Sequence, residues 1–326
     1  MQRIETDPVF CSEVVERGLL SEPFRLLDLG ARGGTPSQWL VFADQLEVVP
    51  IDPDEREPGI TAVVGRTHEV RPFFRHEYWP ADSLYRSEEL FEGTAAREVH
   101  ELSRIEMVET QPLIDLVPSE RLARIDFAKL DVEQAEMDAL VSSGPLLETV
   151  LGLELEVHFP QRPAESACFS ELDTYLQERG FELYDLDVFR YTRPQWPAPT
   201  LYDVRDDDGR PVPAPTVEGQ VLTGDALYIL RDWPTEGDRA LKLACIFELH
   251  RLRDCAIALL DRAHDLVPDA VSRLLFQPHD SLQAEDGRPW GPNYHIFEEL
   301  WRQRPHGYRD PTLAVGRSSH EKEVST

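Results

Sequence analysis

A glycine-rich turn after an apolar run is the segment of this chain whose residue types point most directly to chemistry. Residues 26–34 read LLDLGARGG, so Asp28 precedes a turn made of Gly30, Ala31, Arg32 and Gly33. Glycine has no Cβ and tolerates positive φ, which lets a ligand approach the backbone closely. The spacing departs from the G-x-G-x-x-G of a dinucleotide site, and no G-K-[ST] follows as in a P-loop. An acidic residue before G-x-x-G suits a ligand that has a cationic amino-acid end and no phosphate.

A second carboxylate, Asp52, follows the next apolar run along the chain, residues 46–51. A side chain at the end of that strand can accept hydrogen bonds from both hydroxyls of a ribose. S-adenosylmethionine has a cationic amino-acid end and a ribose, so the order of these residues predicts a site for it. The residues expected to contact this cofactor are Asp28, Gly30, Ala31, Arg32, Gly33, Asp52 and Asp131. The alternative is that the glycines only form a tight turn and that Asp52 only caps backbone groups.

Asp131 is the third carboxylate of this set and follows a β-rich run at residues 125–130. Open α/β sheets bind their ligands at this edge, which favours a functional role for Asp131. Glu133 and Glu136 follow in a helical pattern over residues 133–147, where the helix dipole stabilises negative charge near the start. Helix capping is therefore the simpler interpretation of these two glutamates.

Polar residues alternate through the fifth β-rich run, residues 150–157, and just beyond it. The alternation predicts that Glu154, Glu156 and His158 lie on one face of the strand. Three polar side chains on a central strand are costly to bury unless they are paired or used. A histidine near carboxylates can take the proton of a hydroxyl, so His158 is a candidate catalytic residue. A hydrogen-bonded structural histidine is the alternative for His158.

The elements that must position these residues alternate between β-rich runs and helical patterns. This rhythm predicts an α/β fold with a mostly parallel sheet and helices on both faces. Further β-rich runs lie at residues 24–29, 60–64 and 181–191, and a helix at residues 170–179 ends at Gly180. An aromatic and acidic stretch at about residues 70–102 breaks the rhythm. We interpret it as an insertion over the carboxyl edge of the sheet, either covering a ligand or packing as an accessory layer.

The last third of the chain has a different pattern. Residues 194–220 are rich in proline, aspartate and glycine and predict a loop, which a short strand at 225–230 follows. Residues 238–266 have the amphipathic pattern of two helices. We predict a Rossmann-like domain over residues 1–232 and a helical extension over residues 233–326, with a disordered tail from about residue 316. The helices either pack on their own sheet or form an interface, such as that of a homodimer.

Composition restricts the partners. The chain has 326 residues and a formal net charge of −28 at pH 7, from 61 acidic and 33 basic side chains. This charge disfavours nucleic-acid and anionic membrane partners. The sequence has neither an apolar run that could span a membrane nor a signal-peptide pattern, so we expect a cytoplasmic protein. Its four cysteines lack C-x-x-C spacing, which argues against a zinc knuckle or a disulfide scaffold. The acid-rich, lysine-poor composition fits a high-salt habitat and a GC-rich coding sequence equally.

These clusters, in this order, resemble the FkbM family of S-adenosylmethionine-dependent methyltransferases. The family pattern contains a D-x-G-A turn, an acidic second-strand end, K-[IL]-D-[VT]-[EQ]-G-x-E, E-V-x-F and L-x-x-x-G-F-x-L-x-D-[LV]. The corresponding segments of this chain are residues 28–33, 51–53, 129–136, 156–159 and 176–186, with further likenesses at 83–85 and 108–115. The resemblance covers residues 24 to about 230.

Two departures from the family pattern bear on the site. Gln134 replaces the glycine expected after Glu133, which adds a side chain on the substrate side. The span after Asp52 is short and contains Pro53 and Pro58, so we expect the helix usual there to be missing or reduced.

The resemblance implies a class I methyltransferase sheet with a reversed final hairpin, and methyl transfer to oxygen on a sugar, glycan or natural product. The partner would be a small-molecule or glycan hydroxyl acceptor. Asp131 or His158 would take the hydroxyl proton, and Glu156 would orient the acceptor. No metal is required, although Asp131, Glu133 and Glu156 could form an oxygen-ligand site. The alternatives are N-methylation, a cofactor-binding scaffold without turnover that acts through its C-terminal helices, and a dehydrogenase, which the missing G-x-G-x-x-G disfavours.

Overall fold

The computed structural model describes residues 8–276, except for residues 57, 99, 162, 164, 197, 203–204, 206–208, 210–213 and 264–265. The described residues divide into two compact units, Glu22–Trp233 and a smaller unit that combines residues up to Ser21 with those from Pro234 onward. The predicted domain division after residue 232 stays a prediction. The predicted tail from about residue 316 lies outside the described residues.

The strands belong to the larger unit. Their bounds are Phe24–Leu29 (β1), Leu46–Asp52 (β2), Ile60–Thr61 (β3), Val63–Val64 (β4), Glu69–His76 (β5), Leu102–Gln111 (β6), Phe127–Leu130 (β7), Gly152–His158 (β8), Phe181–Tyr191 (β9) and Gln220–Leu230 (β10). The α-helices are Val9–Glu16 (α1), Ser87–Leu90 (α2), Leu113–Leu116 (α3), Ser119–Leu122 (α4), Glu136–Val141 (α5), Leu146–Thr149 (α6), Phe169–Gln177 (α7), Gly237–Leu249 (α8), Arg253–Arg262 (α9) and Asp269–Ser272 (α10). No helix among the described residues has both the length and the apolar character needed to cross a membrane.

A seven-stranded sheet has the order β3-β2-β1-β7-β8-β10-β9. Strands β3, β2, β1, β7 and β8 pair in parallel, whereas β10 pairs antiparallel with both β8 and β9. This order, with the reversed last hairpin, is that of a Rossmann-like class I methyltransferase sheet. The predicted fold class is therefore confirmed.

The two faces of the sheet differ in polarity. Leu153, Leu155 and Val157 of β8 belong to the main hydrophobic core, packed with apolar side chains of the helices that follow the strands. The opposite face carries Glu154 and Glu156, since successive side chains of a strand alternate in direction. The predicted alternation in β8 is confirmed, and it places its polar residues together on one side.

A second, three-stranded sheet has the order β4-β6-β5. It is fastened to α5 through the buried Asp138, which accepts hydrogen bonds of 3.0 Å from both Tyr85 Oη and Arg71 Nη1. The stretch predicted as an insertion thus forms part of a small sheet with helical turns between its strands. Phe73 and Arg75 of β5 reach the cleft described below.

In the smaller unit, α8 and α9 form the predicted helical pair. Helix α1 begins after Pro8 without a side-chain cap of its own. Its first amides are capped from a distant part of the sequence, because Phe10 N and Cys11 N donate hydrogen bonds of 2.9 and 2.7 Å to the carboxylate of Glu248. A buried carboxylate at a helix N-terminus also suits the helix dipole.

Three local predictions need correction. The helix predicted over residues 133–147 is two helices, because Gly144 adopts φ +56° and Pro145 starts a new segment. Glu133 lies outside both helices at φ +52°, so the helix-start interpretation fails for it. The last strand begins at Gln220, not at residue 225, because it pairs along the whole length of β9. The described residues between Asp52 and β3 contain no helix, as the short span predicts.

Candidate active site

A cleft of about 220 Å³ lies at the carboxyl ends of β1, β2 and β7. Of the predicted site residues, it is lined by Gly30, Arg32, Asp52 and Asp131. Apolar side chains of both sheets and of the segment after β5 form much of the remaining wall, among them Ile51, Val64, Phe73 and Leu84. This edge of the sheet is where the strand order predicts a ligand site.

The glycine-rich turn is fastened to the end of β2. Gly30 N donates to Ile51 O at 3.0 Å, and Arg32 N donates to Asp52 Oδ2 at 3.1 Å. Asp52 Oδ1 accepts a further bond of 2.8 Å from Asp54 N. Asp52 therefore has the backbone-capping role considered as an alternative, while it also lines the cleft. Burial raises the pKa of Asp52, although these two hydrogen bonds act to lower it.

The glycines of the turn have different reasons to be glycine. Gly30 adopts φ +74°, and a Cβ there would lie 1.9 Å from the backbone oxygen of Asp131. The close approach that Gly30 permits is thus between two strands. Gly33 adopts φ +94°, and a Cβ there would meet nothing within 4 Å, so this part of the turn opens onto free space.

Lys129 lies between Asp28 and Asp131, and of these three residues only Asp131 lines the cleft. Asp28 is 1% exposed, and its Oδ1 accepts no hydrogen bond from the described residues. Burial raises the pKa of Asp28 to about 6, against the opposing effect of Lys129. The Lys129 ammonium lies 2.9 Å from Asp131 Oδ2 and 3.9 Å from Asp28 Oδ1. The sequence interpretation assigned no role to Lys129, although its place in the K-L-D segment was visible.

Carboxylates crowd together beyond Asp131. Oxygen atoms of Asp131, Glu133 and Glu156 lie within 4.8 Å of one another, so they could share a cation. Burial, and then the neighbouring carboxylates, raise the pKa values of Glu133 and Glu156. Burial also raises the pKa of Glu136 to about 8. Protonation is thus a second way to relieve the repulsion, and the expectation of no metal stays a prediction.

The turn between β7 and α5 holds two successive non-glycine residues in the left-handed region, Glu133 at φ +52° and Gln134 at φ +76°. Such residues persist when their surroundings fix them. Ser83 Oγ donates a short hydrogen bond to Glu133 O, and Gln134 Nε2 donates to Ser87 Oγ at 3.1 Å. The departure from glycine at Gln134 is therefore compensated by buried contacts with the segment that was predicted as an insertion.

His158 belongs to a different pocket from Asp131. It is 2% exposed, and its Nε2 lies 3.1 Å from Ser166 Oγ. With Glu156 and Gln134 it lines a cavity of only about 10 Å³. Burial lowers the pKa of His158 to about 4, which favours the neutral ring. The structure thus brings Glu156 close to Asp131 and pairs His158 with Ser166.

Arg75 is a cleft residue that the sequence interpretation missed. Its guanidinium donates to Asp82 and Glu106, both at 2.9 Å, and lies 4.6 Å from the ring centre of Phe73. The only local signal was the aromatic and charged character of the stretch, which does not reveal the pairing of β5 with β6.

The model of the methyltransferase FkbM domain family matches residues 42–183. This range includes Asp52, Asp131, Glu156 and His158 and leaves the glycine-rich turn outside it. The match confirms the resemblance found in the sequence. A comparison with curated proteins gives no significant match.

Two solved methyltransferase structures are among those similar to this chain. One is a 1,6-didemethyltoxoflavin-N1-methyltransferase from Burkholderia thailandensis with bound 1,6-didemethyltoxoflavin and S-adenosylhomocysteine; identity is 15%, the overlap covers 69% of this chain and 80% of that one, and the TM-score is 0.28. The other is a SAM-dependent methyltransferase from Agrobacterium tumefaciens, with 13% identity, 70% and 64% coverage and a TM-score of 0.29. Overlaps this loose add nothing to the strand order, which identifies the fold by itself.

Proposed function

We propose that this chain, whose residues 42–183 match the methyltransferase FkbM domain family, is an S-adenosylmethionine-dependent methyltransferase that methylates a hydroxyl oxygen on a sugar, glycan or natural product. One observation carries the choice of site. Asp131 both lines the cleft and lies within 4.8 Å of Glu156, so cofactor and acceptor surfaces meet at one carboxylate.

Residues in the cleft and beside it suit S-adenosylmethionine; Asp28, Ala31 and Gly33 are beside it and do not line it. Asp28 offers a buried oxygen that accepts no hydrogen bond from the described residues, and Gly33 borders open space. Asp52 uses two backbone bonds and retains lone pairs for ribose hydroxyls. Apolar side chains of Ile51 and Phe73 supply surface for an aromatic base. Asp28, Gly30, Ala31, Arg32, Gly33, Asp52 and Asp131 would hold the cofactor, which supplies an electrophilic methyl group when bound.

Asp131 is the base of this proposal. Its side chain is 44% exposed and is oriented by the hydrogen bond from Lys129, so it can reach the hydroxyl of an acceptor. Burial favours the neutral form of Glu156, which can donate a hydrogen bond and orient that hydroxyl. His158 remains the alternative base. Its burial and its contact with Ser166 favour a supporting role.

Calorimetric titration tests the cofactor, with S-adenosylmethionine as the expected ligand and NAD as the negative comparison. We expect binding of the first only, and Asp28→Ala and Asp52→Ala to weaken it. Turnover is tested with S-adenosylmethionine and a panel of hydroxyl-bearing sugars and glycosylated lipids, read by mass spectrometry of the product. Binding of S-adenosylmethionine without methylation of any oxygen would overturn the acceptor class.

Methylation of an amine is the second candidate. The carboxylates of Asp131, Glu133 and Glu156 would attract a protonated amine before its deprotonation. Amino sugars and their N-acetylated forms separate the two candidates, because both retain the hydroxyls and only the free amine retains the nitrogen nucleophile. Product that forms with both favours oxygen, and product that needs the free amine favours nitrogen.

A further inference from the structure

Lys129 is an unusual residue in this chain. It is one of three lysines, the others being Lys242 and Lys322, against thirty arginines. Its side chain is 19% exposed, and Asp28, its neighbour across the strands, is almost completely buried. Lysine presents a compact point charge, whereas arginine presents a broad planar fork. This position therefore holds a compact positive charge between two strands, in a chain that otherwise uses arginine almost throughout.

Strand register places Lys129 in the middle of a charged row. Asp28 of β1 pairs with Lys129 of β7, and Lys129 pairs with Glu154 of β8. The three side chains lie on the same face of adjacent parallel strands. The ammonium bridges Asp28 Oδ1 at 3.9 Å and Asp131 Oδ2 at 2.9 Å. It thereby joins two carboxylates assigned to the cofactor by the proposed function.

We propose that Lys129 is a positioning residue of the cofactor site, which keeps Asp28 ionised at neutral pH and fixes the orientation of Asp131. This inference rests on the proposed function, since Asp28 matters to binding only if it meets the cationic end of the cofactor. Lys129 itself acts through the two carboxylates and makes no contact with the reacting atoms.

Opposing charges around Asp28 explain why a cation is needed. Burial disfavours its negative form most, Lys129 is the cation that opposes this effect, and Asp131, Asp52 and Glu154 repel the negative form further. The ammonium is held in its charged form in return: burial alone would lower the pKa of Lys129, but Asp131, Asp28 and Glu154 raise it. Without the ammonium, Asp28 would take up a proton at a higher pH and lose its attraction for a cationic ligand.

The test is calorimetric titration with S-adenosylhomocysteine between about pH 5 and about pH 8. Wild-type affinity should fall as the pH drops below about 6, the pKa of Asp28. In Lys129→Met the fall should begin about one pH unit higher, which makes the variant about twofold weaker than the wild type at about pH 7 and close to tenfold weaker at about pH 5. Lys129→Arg retains the charge and should keep the midpoint close to that of the wild type. Glu154→Gln removes a repelling charge and should move the midpoint to lower pH.

The outcomes are separable from those of the proposed function. If the wild type binds but neither Lys129→Met nor Glu154→Gln moves the midpoint, the role of Lys129 is refuted and the proposed function stands. If Lys129→Met has no cooperative unfolding transition, Glu154→Gln decides alone. If the wild type binds no S-adenosylhomocysteine at any pH, the proposed function fails.

Thermal unfolding without ligand then tests Lys129 independently. A carboxyl whose folded pKa is raised stabilises the fold at low pH and loses that contribution as the pH rises through the folded value. The melting temperature of Lys129→Met should therefore lie further below that of the wild type at about pH 8 than at about pH 5. A deficit that does not grow with pH would contradict the inference.

Discussion

The two ends of the candidate site are built on different principles. At the cofactor end, main-chain amides hold the turn to the end of β2, since Gly30 N donates to Ile51 O and Arg32 N donates to the carboxylate of Asp52. At the acceptor end, Glu133 and Glu156 lie close to Asp131, and burial raises the pKa values of both glutamates. The cofactor end is thus organised by main-chain hydrogen bonds, whereas the acceptor end is organised by closely packed ionisable side chains.

The largest effect is expected at the carboxylate shared by both ends. Asp131→Asn removes the proposed base and keeps the shape, so turnover should fall about 10²- to 10⁴-fold. Affinity for S-adenosylhomocysteine should change much less, since the rest of the cofactor end stays in place. The measurement is kcat from product mass spectrometry alongside calorimetric affinity. Wild-type turnover in this variant would assign the base to another residue, and His158→Gln is the variant to examine next.

The cofactor end should lose stability when an added side-chain atom obstructs its backbone. Gly30→Ala places a Cβ 1.9 Å from Asp131 O and should destabilise the fold by more than about 3 kcal/mol, since two strands must separate. Gly33→Ala is the matched control, because its Cβ would meet nothing within 4 Å and only the positive φ costs about 1 kcal/mol. Urea denaturation of both variants measures the difference. Equal losses would mean that the contact with β7 does not constrain the turn.

The carboxyl groups at the acceptor end should make the stability of the fold depend on pH. Because the folded pKa of Glu136 is raised to about 8, its contribution to stability is present at low pH and is lost as the pH rises through that value. Glu136→Gln cannot ionise and can still accept the bond from Val132 N. Between about pH 5 and about pH 7 the wild type should lose up to about 1.4 kcal/mol of stability per pH unit more than the variant. Parallel curves from denaturant titrations at several pH values would refute this.

The smallest effect is expected at Gln134, where two variants distinguish the cost of backbone strain from the contribution of the hydrogen bond to Ser87. Gln134→Gly relieves the left-handed strain but loses the bond to Ser87, so the net destabilisation should be about 1 kcal/mol. Gln134→Ala loses the same bond and keeps the strain, so it should be less stable than the glycine variant by about another 1 kcal/mol. Thermal unfolding of the pair isolates the strain. If the alanine variant is the more stable, the backbone there is not strained.

The contrast also explains what could be read from the sequence. The main sheet and most of its carboxylates follow from local patterns, since alternation places Glu154 and Glu156, and the first two apolar runs carry Asp28 and Asp52 near their ends. The β5–β6 pairing could not be read, because residues far apart in sequence meet there and the strands mix charged with apolar positions. The break after Val141 had a signal in the Gly144-Pro145 pair, which the helical spacing of neighbouring apolar residues obscured.

The capping of α1 by Glu248 bears on the order in which the molecule becomes structured during synthesis. An eight-residue helix is marginal by itself in water, and its first amides wait for a carboxylate that emerges far later from the ribosome. The larger unit, Glu22–Trp233, is completed before that carboxylate exists. Helix α1 is therefore among the last elements to acquire its native contacts.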